Sequence, residues 1–135
     1  KDLATRGYGL LVTTSRRTGE SQSRIINAAL DGSGAFVWSG TGDNPYMGLL
    51  ALADAILVTS DSTNMAIEAA ATGKPVYVVD LPGGDSKFDR LHESLRQRGI
   101  TRKFTGEIAQ WTYEPLNETA RIAALIRNRA AVTSP

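Results

Sequence analysis

A polar turn at residues 60–64 carries the side chains best suited to holding a ligand. It follows an apolar run and precedes small residues typical of a helix; its members are Ser60, Asp61, Ser62, Thr63 and Asn64. The first turn of a helix presents N–H groups without partners inside the helix and carries a partial positive charge. The turn therefore predicts an anion site, with phosphate as the first candidate. The alternative is a plain N-cap, because a cap occupies the same N–H groups.

One glutamate follows the turn on the same helix. Glu68 lies four residues after Asn64 and so shares its helix face. A carboxylate there could accept hydrogen bonds from sugar hydroxyls, and phosphate with sugar indicates a nucleotide. The alternative is an exposed carboxylate with no ligand, which is the usual place for a glutamate.

Two arginines follow the first predicted strand and match the chemistry of a diphosphate. Arg16 and Arg17 would bind it through paired hydrogen bonds. The alternative is a solvated pair or a salt bridge to the last helix. The remaining binding candidates are Ser15, Ser39 and Gly40 in the loops after the first and second strands, and Lys87 at the start of the helix after the fourth strand.

The absence of cysteine and the single histidine narrow the chemistry. They exclude disulfides, thiolate nucleophiles and a histidine-rich zinc site. His92 shares an apolar helix stripe, which favours a place at the edge of the core over a role as a base. Catalytic residues stay unassigned, and we predict neither a metal nor a cofactor. A hydrolase would need a metal, and the candidate carboxylates near the loops are Asp80, Asp85 and Asp89.

Charge and hydropathy exclude two classes of partner. Fifteen basic and fourteen acidic side chains give a formal charge of +1, too small a field for nucleic acid or acidic membranes. The longest apolar run, residues 47–58, is interrupted by Asp54 and is too short to cross a bilayer. The chain starts at Lys1 without methionine, which suggests a piece of a longer protein.

Strand and helix patterns alternate along the whole chain. Predicted strands cover residues 8–13, 35–38, 55–59, 75–80 and 101–104, and predicted helices cover residues 20–30, 46–53, 63–72, 86–98 and 116–129. The first strand is nearly all apolar, as in a strand buried on both faces. This alternation predicts one Rossmann-like α/β domain over residues 1–135, with a parallel sheet flanked by helices.

Ligands of such sheets bind beyond the carboxyl ends of the strands. Parallel strands all end at the same edge of a sheet, so we expect the four polar loops that follow these strands to share that edge. The loops cover residues 14–18, 39–43, 60–64 and 80–85.

The motif at residues 60–76, SDSTNMAIEAAATGKPV, resembles the donor-binding C-terminal domain of GT-B glycosyltransferases and of UDP-N-acetylglucosamine 2-epimerases. The resemblance implies phosphates at Ser62, Thr63 and Asn64 and ribose at Glu68. This chain departs from the pattern in its first loop, where the arginine pair replaces a glycine-rich turn. The compact connection at residues 40–51 leaves the nucleobase open.

Across nearly its full length the chain also resembles the elongated-mitochondria fission family of plants and α-proteobacteria. The matching blocks are residues 15–18, 42–46, 52–54, 59–76, 87–88, 91–92 and 111–119. This resemblance implies the C-terminal half of a two-domain protein in the bacterial cytoplasm, with its own N-terminal domain as a partner. The resemblance to GT-B proteins implies that this domain would supply the acceptor site and the general base.

Together these patterns predict a half domain that binds a nucleotide sugar and is inactive without its N-terminal domain. The whole protein would be glycosyltransferase-like or epimerase-like, if it is an enzyme. The alternative is a non-catalytic scaffold of the fission family that acts through protein–protein interaction.

Overall fold

The computed structural model describes residues 1–15, 18–38, 40–82 and 86–132. Helices and strands alternate along the chain, which confirms the predicted α/β class with parallel sheets flanked by helices. A short first helix is the one element that the sequence patterns did not predict. The elements are α1 (Asp2–Thr5), β1 (Leu11–Thr13), α2 (Gly19–Leu30), β2 (Phe36–Trp38), α3 (Tyr46–Leu52), β3 (Ile56–Thr59), α4 (Thr63–Ala70), β4 (Val76–Val79), α5 (Ser86–Gln97), β5 (Thr101–Lys103) and α6 (Glu118–Val132).

The described strands form two parallel ladders. β1 pairs with β2, and β4 lies between β3 and β5. Each parallel pair is joined by a helix, as the βαβ unit requires. The contacts divide the chain into two compact units, Lys1–Ala53 (unit 1) and Asp54–Pro135 (unit 2). Two of the four predicted loops fall in each unit, so their sharing of one edge stays a prediction.

The core of unit 2 forms where α4 and α5 cover one face of the three-stranded sheet. Val76 and Val78 of β4 are fully buried, and so are three alanines of α4, Ala66, Ala69 and Ala70. Alanine has no side chain beyond Cβ, so the helix axis approaches the strands closely. Leu95 of α5, 1% exposed, completes this layer.

The opposite face of β4 is covered by residues 104–116, which form neither helix nor strand and are called here the covering segment. Tyr77 is 3% exposed, and its hydroxyl donates to the Ala109 carbonyl at 3.1 Å and accepts from the Ala109 N–H at 2.6 Å. The rings of Phe104 and Trp111 meet the Tyr77 ring edge to face. The N–H and the carbonyl of Ala109, which belong to the peptide groups on either side of this residue, are thus both held by the sheet.

Unit 1 buries much less. Among its described residues, Leu50 alone is buried. Leu11 and Phe36 are paired in register across the ladder and are 43% and 46% exposed. The prediction of a first strand buried on both faces is therefore wrong. The described ladder has two strands of three residues, and an apolar pattern by itself brings no second layer.

Two local features lie at the boundaries of helices. Asn44 Oδ1 accepts the Tyr46 N–H at 3.0 Å, where α3 begins. Gly73 follows α4 with φ of +74°, and a Cβ there would lie 3.1 Å from Pro115 Cγ, so any other residue would be strained. Among the helices of the described ranges, none is long and apolar enough to cross a membrane.

Candidate functional site

The site is built on residues 60–64, called here the elbow, which join β3 to α4. The Ser62 N–H donates to the Thr59 carbonyl at 3.0 Å, which reverses the chain at the end of β3. Ser62 is then the N-cap of α4 and its carbonyl accepts the Ala66 N–H at 3.2 Å. Its side chain is 8% exposed and makes no capping hydrogen bond. The first turn of α4 therefore begins at the carboxyl end of β3, where its positive partial charge favours an anion.

Ser60 joins the elbow to two other elements through all three of its polar groups. Its N–H donates to the Val79 carbonyl at 2.9 Å, and its Oγ accepts the Leu81 N–H at 3.0 Å. Its carbonyl accepts from His92 Nε2 at 2.8 Å. Ser60 was predicted to bind a ligand; that stays a prediction, and in the structure its groups brace the elbow.

The structure places Asn64 and Glu68 one turn apart on an exposed part of α4. Asp61 and Thr63 are half-buried at the start of the same helix. Six predicted residues thus lie together along the chain, at the elbow and on the first two turns of α4, and they are Ser60, Asp61, Ser62, Thr63, Asn64 and Glu68.

The other predicted residues are placed less completely. Arg16, Arg17 and Ser39 lie outside the described residues, and Lys87 is described only as part of the α5 backbone. Ser15 and Gly40 belong to unit 1. The Ser15 N–H donates to Thr18 Oγ1 at 3.1 Å and the Thr18 N–H donates to the Ser15 carbonyl at 3.0 Å, while Gly40 has φ of +88°. Their part in ligand binding stays a prediction.

Sequence reasoning missed a charged pair at the carboxyl edge of the three-stranded sheet. Lys103 Nζ at the end of β5 lies 2.7 Å from Asp80 Oδ2 just after β4, and both side chains are half or more exposed. The hydrogen bond from Lys103 holds the pKa of Asp80 below its usual value of 3.8. Since β5 is parallel to β4, its last residue must lie at this edge; that signal was available from the predicted fifth strand.

His92 was predicted to lie at the edge of the core; in the structure it is buried, at 3% exposure. Its hydrogen bond to the Ser60 carbonyl was not predicted. The two residues are 32 positions apart, and no local pattern in the chain relates them.

The described residues form no metal site, and a cavity in unit 1 lies at the amino edge of its ladder, not at a carboxyl edge as the elbow does. Within the described ranges, no cluster of three or more histidine or acidic side chains could hold a metal ion. Asp85, a carboxylate that a hydrolase would use, lies outside those ranges, and Asp80 is paired with Lys103. An open cavity in unit 1 lies between the end of α2 and the start of β2, at the amino edge of that ladder. Ligands of parallel sheets bind at the other edge.

Comparison with known proteins identifies the family. The sequence profile of the family described as mitochondrial fission ELM1 matches residues 1–130. The chain belongs to this family. It is 44% identical over 133 residues to the mitochondrial fission protein ELM1 of Arabidopsis thaliana. It is 33% identical over 135 residues to an uncharacterized protein of Rickettsia prowazekii.

The two alignments cover 96% and 94% of this chain but only 31% and 38% of the two relatives. The chain therefore spans about a third of the length of these relatives. No solved structure matches it. The GT-B likeness and the location in a bacterial cytoplasm stay predictions.

Proposed function

We propose that this chain binds a nucleoside diphosphate sugar at the elbow and along the first two turns of α4. The observation that carries the proposal is the start of α4 at the carboxyl end of β3, with a buried Ser62 whose side chain makes no capping hydrogen bond. An N-terminal turn in this position favours a diphosphate, because the helix dipole and the orientation of the N–H groups act together.

The sugar end of the ligand is assigned to Glu68. This carboxylate is exposed, lies one turn beyond Asn64 and leaves the phosphates room at the helix start. In that position it would accept hydrogen bonds from the ribose hydroxyls. Lys103 lies at the same sheet edge and adds a cation. A diphosphate would compete with Asp80 for the ammonium group of Lys103.

In this proposal the chain is one half of a ligand site. The residues assigned here bind and orient the nucleotide, and none of them has an assigned part in breaking or forming a bond. A glycosyltransferase-like or epimerase-like reaction would need the N-terminal domain that we expect to face the elbow.

The test is a titration of the chain with UDP, GDP and their sugars, followed by backbone amide chemical shifts. We expect shifts at residues 61–68, and we expect Glu68→Gln to weaken binding about fivefold, the equivalent of one hydrogen bond. Glu114→Gln, an exposed carboxylate of the covering segment, is the control and should bind as the wild type does. The absence of any shift at the elbow at millimolar nucleotide would refute the proposal.

A second candidate is a scaffold that acts by binding another protein. The observation that favours it is an apolar stripe on α6, where Ile122, Leu125 and Ile126 are 44%, 48% and 62% exposed. Their spacing places them on one helix face. The name of the Arabidopsis relative connects that protein with mitochondrial fission.

The two candidates predict opposite results in cells. If the protein is a scaffold, the double substitution Ile122→Glu and Ile126→Glu abolishes the function of the protein in cells, while Glu68→Gln leaves that function intact. For a nucleotide-sugar protein, Glu68→Gln impairs function. Circular dichroism of each purified variant checks that the fold is kept.

A further inference from the structure

We propose that His92 is a positioning residue, which holds the elbow in the form that binds a ligand. It does so through one hydrogen bond to the carbonyl of Ser60. The inference rests on the proposed function, since it concerns the geometry of the same site. It adds to that site His92 of α5, a residue that is not itself predicted to contact the ligand.

The geometry determines which ring nitrogen carries hydrogen. His92 Nε2 lies 2.8 Å from the Ser60 carbonyl oxygen. A carbonyl oxygen can only accept, so Nε2 must donate. Nδ1 is buried and has no hydrogen-bond partner among the described residues.

Core packing by itself does not account for a histidine at this place. An imidazole with one nitrogen unpaired costs free energy to bury, whereas an aliphatic side chain does not. Leu95, on the same stripe of α5, fills its position at 1% exposure with no polar atom. What the histidine adds is the one bond to the elbow.

That bond acts on the backbone at the start of the site. The Ser60 carbonyl and the Asp61 N–H belong to one planar peptide group and point in opposite directions. By fixing the carbonyl toward α5, His92 sets the direction of the Asp61 N–H. The Leu81 N–H, held on Ser60 Oγ at 3.0 Å, and the Val79 carbonyl, 2.9 Å from the Ser60 N–H, fix the other groups of the same residue. Of these three bonds, only the one from His92 comes from a side chain of another element.

The test compares two substitutions at His92. His92→Leu removes the donor, and His92→Gln keeps an N–H₂ group that can reach the carbonyl. With UDP as the probe, we expect His92→Leu to weaken binding about tenfold, the equivalent of about one hydrogen bond. We expect His92→Gln to bind within about threefold of wild type, because the donor is restored.

Leu95→Ala is the control for general destabilisation. It removes a buried side chain from the same helix, and we expect lower stability but unchanged UDP affinity for the folded fraction. A second readout is independent of ligand: the ¹⁵N signals of the His92 ring should show hydrogen on Nε2.

The outcomes separate this inference from the proposed function. Equal UDP affinity of wild type and His92→Leu would overturn the positioning role and leave the nucleotide site standing. No binding of UDP, GDP or their sugars to the wild type would overturn both. If His92→Leu does not fold, the UDP affinity of His92→Gln and the ring spectrum of the wild type decide. A proton on Nδ1 with Nε2 unprotonated would refute the inference.

Discussion

Unit 1 and unit 2 use the same βαβ pattern but bury very different amounts of it. In unit 2, both valines of β4 that face the helices and the three alanines of α4 are fully buried. In unit 1, Leu52 and Met47 of α3 are 75% and 72% exposed, and the strand residues Leu11 and Phe36 are nearly half exposed. The comparison shows that an apolar strand becomes a core only when both of its faces receive a cover.

Three features of unit 2 supply that cover. A third strand, β5, extends the ladder on one side of β4. The alanines of α4 let the helix lie close to one face, and the covering segment closes the other through Tyr77. The described part of unit 1 has one ladder pair and no counterpart to the bonds of Tyr77.

The largest expected effect is at a buried leucine of unit 2, compared with an exposed leucine of unit 1. We expect Leu95→Ala to lower the free energy of unfolding by about 2–5 kcal/mol, since it leaves a cavity in a packed layer. Leu52→Ala, at an exposed site, should change it by less than about 0.5 kcal/mol. Urea denaturation measures both. Similar losses for the two variants would contradict the contrast between the units.

The next effect tests whether the covering segment is held by Tyr77. We expect Tyr77→Phe to lower the free energy of unfolding by about 1–3 kcal/mol, because it leaves the N–H and carbonyl of Ala109 without their partner. Tyr8→Phe is the control, because Tyr8 lies in unit 1 and is 39% exposed. Calorimetric melting measures the stability of the two variants. An equally large loss of stability in Tyr8→Phe would contradict the role of Tyr77 in holding the covering segment.

A smaller effect of opposite sign is expected at Thr101 in β5. Its hydroxyl is buried, 2% exposed, and has no hydrogen-bond partner among the described residues. Thr101→Val keeps the shape and removes that cost, so it should raise the free energy of unfolding by about 1 kcal/mol. Thr13→Val in β1, where the side chain is only half-buried, should have a smaller effect. Urea midpoints measure the difference, and a destabilised Thr101→Val would show that the hydroxyl has a partner.

The smallest effect is a change of pH dependence at Tyr113. Burial raises the pKa of its phenol above 10.0, and the hydroxyl donates to the Lys74 carbonyl at 2.7 Å. A raised pKa means that the stabilising contribution is complete below pH 10.0 and is lost as the pH rises through the folded-state pKa. The stability of the wild type should therefore fall more steeply above that pH than the stability of Tyr113→Phe. Urea titrations at several pH values measure the stability of both proteins. Curves of stability against pH that run parallel for the two would exclude this contribution of Tyr113.

Much of the fold around the elbow was predictable because its signals are local. The predicted strand at residues 55–59 and helix at residues 63–72 correspond to β3 at Ile56–Thr59 and α4 at Thr63–Ala70. Alternation, a polar turn and a glycine stop act within a few residues of one another. The covering segment was not predicted, because it has no periodic pattern and is held by bonds such as that from Tyr77 to Ala109, 32 residues away.

The sequence by itself determined the order of the elements from β1 to α6, the α/β class and the elbow with its candidate residues from Ser60 to Glu68. It also carried the family resemblance that the comparisons confirm. Only the tertiary structure decided that His92 and Leu81 hold Ser60, that Lys103 pairs with Asp80 and that Leu11 stays exposed. The physical reason is that local patterns set backbone conformation, whereas burial and long-range hydrogen bonds depend on which elements become neighbours after folding.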